Sequence, residues 1–338
     1  MSITQVLVTG GAGFIGAHLV RALLGRGAAV RVIDNFVTGT AANLALATGV
    51  PLEEVHRALA PRISPARVGD CQVWAADVRN PAAAAAACAG VDAIFHQAAL
   101  RSVPRSLIDP VGTHEVNATG TLALLEAARA AGVRRFVFAS SSSVYGDTAV
   151  PKHEGQLPQP KSPYAASKLA AEGYCAAYSR GFGLSAVALR YFNVFGPWQD
   201  PASEYAAVIP KFIRLAMRGE PLPVHGDGLQ SRDFTYVDNV VEANLLAADA
   251  QADAAVLNIG AGDRHTLLDL IDLLGRILGQ APQIVHEPPR AGDVLHTQAD
   301  ITLARRQIRY TPSVDFATGL RRTVAAMRDA EGAVADHA

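Results

Sequence analysis

Cysteine is scarce, with Cys71, Cys88 and Cys175 the only three in 338 residues, and they are odd in number and far apart. That excludes a disulfide framework and a zinc quartet, so no metal is expected and a reducing compartment fits best. No run of about twenty apolar residues is free of charges or glycines, which leaves nothing suited to crossing a bilayer. Charge of one sign is lacking too: 30 basic residues face 31 acidic ones, for a net charge of -1. Without a concentrated basic stretch, a nucleic-acid partner is not expected. From Met1 the chain runs through Gln5 into an apolar segment, with no basic leader, apolar h-region or small-residue cleavage site. A cytoplasmic location without membrane attachment is therefore expected.

What is present is enough apolar material, 50% against 18% charged, to organise most of the length into packed structure. The first half alternates β-branched runs with helical patterns, the signature of an α/β fold with a parallel sheet covered by helices. Residues 5–9, 29–33, 72–75, 93–96, 136–139 and 185–190 read as strands, and residues 15–25, 81–88, 113–131 and 163–180 as helices. Continuous apolar strands such as Val6-Leu7-Val8 imply burial on both faces, as a doubly wound sheet requires. The six alanines at 82–87 read as a helix packed closely on that sheet. After Tyr191 the texture becomes Pro- and Gly-punctuated, which reads as a smaller lobe. The expected division is a nucleotide-binding domain over 1–190 with a returning segment near 234–262, a second lobe over 191–233 and 263–328, and a frayed tail over 329–338.

The first strand runs into Thr9-Gly10-Gly11-Ala12-Gly13-Phe14-Ile15-Gly16 and then directly into a helix. Glycines there let the backbone approach a pyrophosphate seated on the helix N-terminus, although a tight βα turn uses glycines without any ligand as well. Asp34 closes the second strand where a carboxylate accepts from ribose hydroxyls and repels a 2′-phosphate, which favours NAD over NADP. Asn35 follows it. Asp77-Val78, after the third strand, is placed to meet the adenine or to cap a helix. The small residues of His96-Gln97-Ala98-Ala99, after the fourth, allow close approach to a cofactor, with His96 itself read as packing or capping.

Ser162-Pro163-Tyr164 opens a helix with Ser162 at the N-cap and Pro163 at the first position. Lys168, four residues beyond Tyr164, shares its face, so an ammonium lies near a phenol and a bound ribose. A nearby cation and a helix N-terminus stabilise a phenolate, which can then act as a base near neutrality. Ser140-Ser141-Ser142-Ser143-Val144-Tyr145-Gly146 ends the fifth strand, at the carboxyl edge where such sheets bind ligands.

These motifs, together with Leu189-Arg190-Tyr191-Phe192-Asn193 and Gly226-Asp227-Gly228-Leu229-Gln230-Ser231-Arg232-Asp233-Phe234, resemble the extended short-chain dehydrogenase/reductases, and among them the nucleotide-sugar 4-epimerases. The resemblance spans Val6 to about Pro312. It implies a Rossmann domain with a smaller α/β lobe, tightly held NAD, and a UDP-sugar substrate. By it, Tyr164 takes the proton of the sugar 4-hydroxyl while hydride leaves C4, and the 4-keto sugar turns over and is reduced on its other face. Lys168 holds the ribose and tunes Tyr164, and Ser141 bonds the reacting oxygen. Related dehydratases and decarboxylases carry acidic residues where this chain has Ser142 and Ser143, which favours epimerisation.

The resemblance also places Asn193, Ala207, Val208, Arg232, Arg290 and Asp293 around the uridine diphosphate, Ser102 against the hexose and Thr297 beside the sugar's 2-substituent. It favours UDP-hexose or UDP-N-acetylhexosamine, with UDP-glucuronic acid as the alternative substrate and a non-catalytic NAD sensor as the alternative from another class. Relatives pair the helices over 113–131 and 163–180 across a two-fold axis, so a homodimer is expected.

Overall fold

A computed structural model describes residues 3–60, 65–201, 207–288 and 294–335. The chain opens on β1, Gln5–Thr9, whose Val6, Leu7 and Val8 are fully buried, as an all-apolar strand covered on both faces must be. Six more strands follow: β2 (Ala29–Asp34), β3 (Ala66–Val68), β4 (Cys71–Ala75), β5 (Ala93–His96), β6 (Arg135–Ser141) and β7 (Ser185–Tyr191). With the Ala255–Ile259 strand they make one sheet, running from that strand through β7, β6, β5, β1, β2 and β4 to β3. Every neighbouring pair is parallel except β3 on β4, a three-residue edge strand absent from the sequence expectation.

The first crossovers move outward from β1 to β2 and β4, and the chain then returns to place β5 on the opposite side of β1. The strand order reverses between β1 and β5, which opens a crevice at their carboxyl ends where open α/β sheets bind ligands. The alanine-rich segment is the Pro81–Cys88 helix, capped by Asn80, whose side chain accepts from the Ala82 and Ala83 N–H groups. Its Ala84, Ala87 and Cys88 are buried against the sheet layer.

Two helix expectations need correction. The helix expected over 113–131 is three pieces, Pro110–His114, a π-turn at Glu115–Thr119, and Gly120–Ala130. Such a turn rotates the side chains beyond it, and here it turns the polar Asn117 inward to 1% exposure. Within the tail expected to fray from Asp329, residues 329–335 continue the Phe316–Ala335 helix, and 336–338 lie outside the described residues.

Beyond β7 the chain builds a smaller layer from the helices Val208–Met217 and Leu267–Leu278, with a parallel pair formed by Leu222–His225 and Ile284–Glu287. The Leu267–Leu278 helix begins with a capping box between Thr266 and Asp269. The short strand Ser231–Arg232, paired with His265–Thr266, carries Arg232 to the wall of the crevice.

Candidate active site

The crevice is a cleft of about 1660 Å³ whose walls come from both layers. Its floor is the glycine turn. Gly10 has a φ of +68°, and a Cβ there would lie 2.7 Å from the Ala98 nitrogen, so only glycine lets the turn reach β5. Gly16 is as tightly held, since a Cβ would come within 2.0 Å of the Gly10 carbonyl oxygen. At Gly13 a Cβ would meet only that same carbonyl, at 3.1 Å, which leaves the cleft side open to a ligand. Phe14 and Ile15 start the helix above it.

Asp34 sits at the end of β2 with its two oxygens accepting from Ala12 N–H at 2.9 Å and Phe36 N–H at 2.8 Å. Burial pushes its carboxyl upward, and those two hydrogen bonds pull it back down. Each carboxylate oxygen keeps a second lone pair for a ribose hydroxyl. Backbone bare of side chains at the pyrophosphate position and a carboxylate at the ribose position fit a dinucleotide.

Asn35, Val78, Gln97, Ala98 and Ala99 also line the cleft. Asp77 stands between the cleft residues Ala76 and Val78, where Arg79 binds it through Nε at 2.9 Å and Asn35 donates to it at 3.0 Å, an arrangement that holds the carboxyl below its usual range. Asp77 is not the helix cap, since Asn80 fills that position. His96 is fully buried, with Nδ1 2.7 Å from Thr9 Oγ1 and Nε2 2.8 Å from Thr121 Oγ1. Burial first, and then the charge of Lys168, lower its pKa to about 3, so it stays neutral and packs.

The reacting face comes from β6 and the Pro163–Phe182 helix. Ser162 caps that helix by accepting from Ala165 N–H at 3.2 Å. Tyr164 and Lys168 follow one turn apart and both line the cleft. Opposite them Ser141, Ser142 and Ser143 leave the carboxyl end of β6. The Ser141 hydroxyl hydrogen-bonds the Tyr164 phenol and also accepts from Ser143 Oγ at 2.9 Å. Burial pushes the phenol up, while the Ser141 bond and the charge of Arg101 pull it down. Lys168 stands one turn along the helix from the phenol. Its ammonium donates to the Ala139 carbonyl at 2.8 Å, and burial lowers its pKa to about 8.

On the opposite wall Asn193, at a φ of +25°, donates to Thr297 Oγ1 at 3.1 Å and to the Asp233 carbonyl at 3.2 Å. Arg232 Nη1 donates to the Leu295 carbonyl at 3.0 Å, and Arg232 and Thr297 both line the cleft. Ser102 stands between the cleft residues Arg101 and Val103, and its hydroxyl accepts from Arg105 N–H at 3.2 Å to cap the Val103–Ile108 helix. Ala207 and Val208 form the start of the Val208–Met217 helix, with Ala207 at its N-cap position. Arg290 and Asp293 lie outside the described residues.

The structure adds residues that the sequence did not single out. Arg101 lines the cleft and its charge reaches Tyr164, and the residue after it, Ser102, has a φ of +104°. Asn117 clamps the cleft loop to the reacting helix: it accepts from Leu100 N–H at 2.8 Å and donates to the Leu100 carbonyl at 3.0 Å and to Ser167 Oγ at 3.1 Å. A polar residue on the inward face of an apolar helical pattern was the available signal for it. Arg101, on an irregular loop, left none.

Residues 6–260 match the model of the NAD dependent epimerase/dehydratase family. A UDP-glucose 4-epimerase of Mycolicibacterium smegmatis is 36% identical over 96% of this chain and 99% of the relative. A UDP-N-acetyl-alpha-D-glucosaminuronate decarboxylase of Bacillus cytotoxicus is 31% identical over 97% of this chain and 98% of its own length. Among solved structures, a UDP-N-acetylglucosamine 4-epimerase of Methanobrevibacter ruminantium in complex with UDP-N-acetylmuramic acid superposes with a TM-score of 0.88. It is 36% identical over 98% of this chain and 100% of that one.

Proposed function

Because the chain belongs to the NAD dependent epimerase/dehydratase family, we propose that it interconverts the C4 epimers of a UDP-hexose or UDP-N-acetylhexosamine. The observation that carries this reading is the convergence of Ser141, Tyr164 and Lys168 on one cleft with Ser142 and Ser143 beside them. Removal of water or carbon dioxide from a neighbouring carbon calls for an acid or base there, and serine hydroxyls supply neither near neutrality.

NAD, when bound, supplies a reversible acceptor for the C4 hydride. The chain's own residues do the rest. The turn from Gly10 to Gly16 receives the pyrophosphate, Asp34 the adenosine ribose, and Lys168 the nicotinamide ribose. Tyr164 Oη takes the proton of the 4-hydroxyl and returns it after the ring has presented its other face. Ser141 holds the reacting oxygen through both halves of the cycle. Arg232 and Asn193 hold the diphosphate that tethers the sugar while it turns, with guanidinium matched to phosphate.

One observation favours an acidic sugar as a second reading. Arg101 brings a cation to the cleft beside Tyr164, where a carboxylate at C6 would pair with it. Proton NMR of the purified protein, incubated without added NAD with UDP-glucose, UDP-N-acetylglucosamine or UDP-glucuronic acid, separates the readings. The 4-epimer is expected in one of the first two tubes. Its appearance only from the glucuronate selects the acidic sugar, and three unchanged spectra reject both.

The homodimer belongs to the same proposal. Its support is the exposed apolar set of Leu107, Ile108 and Val111, with Tyr174 and Phe182 on the reacting helix.

A further inference from the structure

Behind the reacting face lies a buried ion pair that the proposed chemistry does not use. Glu172 stands one turn beyond Lys168, so Tyr164, Lys168 and Glu172 form a row along one helix face. Arg190 of β7 grips the carboxylate with two donors, Nε to Oε1 at 2.9 Å and Nη2 to Oε2 at 2.7 Å. The two side chains are 4% and 5% exposed. A third donor is the hydroxyl of Ser140, the residue just before Ser141 on β6. The remaining Arg190 nitrogen, Nη1, has no hydrogen-bond partner, and the guanidinium instead lies 4.6 Å from the centre of the Tyr145 ring. Buried ion pairs are often replaceable by apolar residues of similar volume without loss of stability, so stability alone does not account for this one.

Its location does. The carboxylate ties strand residue 140 to helix residue 172, and the elements it joins carry Ser141 on one side and Lys168 on the other. We propose that Glu172 is a positioning residue, which keeps Lys168 charged and holds the Ser141 strand end against the reacting helix. This rests on the reading of Tyr164 and Lys168 as the reacting pair.

The groups around Lys168 leave Glu172 as its counter-charge. On the same helix Cys175 also faces it, but burial drives that thiol far up, so it is neutral while the lysine titrates. From β5, His96 is neutral, and from the loop before the Val103–Ile108 helix Arg101 adds positive charge near Tyr164. The Pro110–Thr119 stretch packs on the helix with its His114 and Glu115 exposed, and Glu126 and Arg129 meet the helix farther along, at Tyr178 and Phe182. Of the buried pair itself, the carboxylate is on the helix one turn from Lys168, and the guanidinium comes from β7.

The sequence contains only four lysines, Lys152, Lys161, Lys168 and Lys211, so carbon-13 NMR of lysine-labelled holoenzyme can follow each ammonium, with Lys168 assigned by its disappearance in Lys168→Arg. In Glu172→Gln the Lys168 midpoint is expected to fall by about 1 pH unit, with the Lys152 and Lys161 midpoints unmoved. If that variant does not fold because Arg190 is left unpaired, Glu172→Gln with Arg190→Met removes both charges, and a smaller fall in the same direction is expected, because the carboxylate is one turn from Lys168 on the same helix. A Lys168 midpoint equal to wild type in the folded variant overturns the proposal. The readout needs no turnover, so failure of the epimerase reading and failure of this one are distinguishable.

Discussion

At the residue scale, the unexpected feature is which cation addresses the reacting phenol. Spacing along the helix pointed to Lys168, whereas folding brings Arg101 to Tyr164 from a distant loop and leaves Lys168 on a backbone carbonyl. Since the Arg101 charge lowers the phenol, its removal raises it, and less phenolate is available at a given pH. Arg101→Ala is therefore expected to move the acidic limb of kcat/KM to higher pH. An unmoved limb in the pH–rate profile counts against this role. Tyr164→Phe removes only the titrating oxygen. It should fold and keep NAD while losing on the order of 10²-fold or more in turnover, read by NMR alongside the bound-cofactor absorbance.

At the scale of elements, two local devices hold the cleft in register. The first is the glycine turn. Gly10→Ala puts a Cβ into the Ala98 backbone at a φ where L-residues are strained, so retained NAD after gel filtration is expected to be lost. Full retention would show that the turn tolerates displacement. The second is the π-turn that points Asn117 at Leu100 and Ser167. In Asn117→Ala three hydrogen bonds disappear and the part-buried Leu100 backbone groups lose their partners. A loss of about 2–3 kcal/mol in denaturant-derived stability is expected, with weakened NAD binding because the loop before Arg101 loosens. A change below about 0.5 kcal/mol would mean that the loop is held some other way.

At the scale of the whole molecule, pH acts through groups buried far apart. Burial lowers His18 to about 4 and His96 to about 3, whereas in the unfolded chain both titrate near 6.5. Between those values the unfolded state binds more protons, so stability is lost as pH falls from 6.5. Asp233 works in the opposite direction. Burial raises it to about 6 against four opposing hydrogen bonds, so acidification through that range favours the folded form. The two histidines outnumber this aspartate, so a net loss of stability is expected between pH 6.5 and 4.5. Urea titrations at the two pH values check this, and equal midpoints would contradict it. Association is the other property of this scale. Light scattering should give twice the monomer mass of 35.4 kDa, and Ile108→Asp should halve it. A wild-type monomer would remove the dimer from the proposal.

The sequence by itself determined the parallel sheet and the reacting helix, because their signals are local. Val6-Leu7-Val8 and Phe136-Val137-Phe138 are apolar at every position, so they can only be covered strands, and Ser162-Pro163 marks a helix start in two residues. The glycine turn was legible for the same reason, since a few successive residues carry the whole conformational requirement. Tertiary structure alone decided the partners of Asn117, the approach of Arg101 to Tyr164 and the closing of the Glu172–Arg190 pair. Each joins atoms from segments whose order in the chain says nothing of their distance in space. The π-turn is the clearest case: one extra residue in a helical run shifts the phase of every later side chain, and only packing against β6 and the reacting helix selects which of them turns inward.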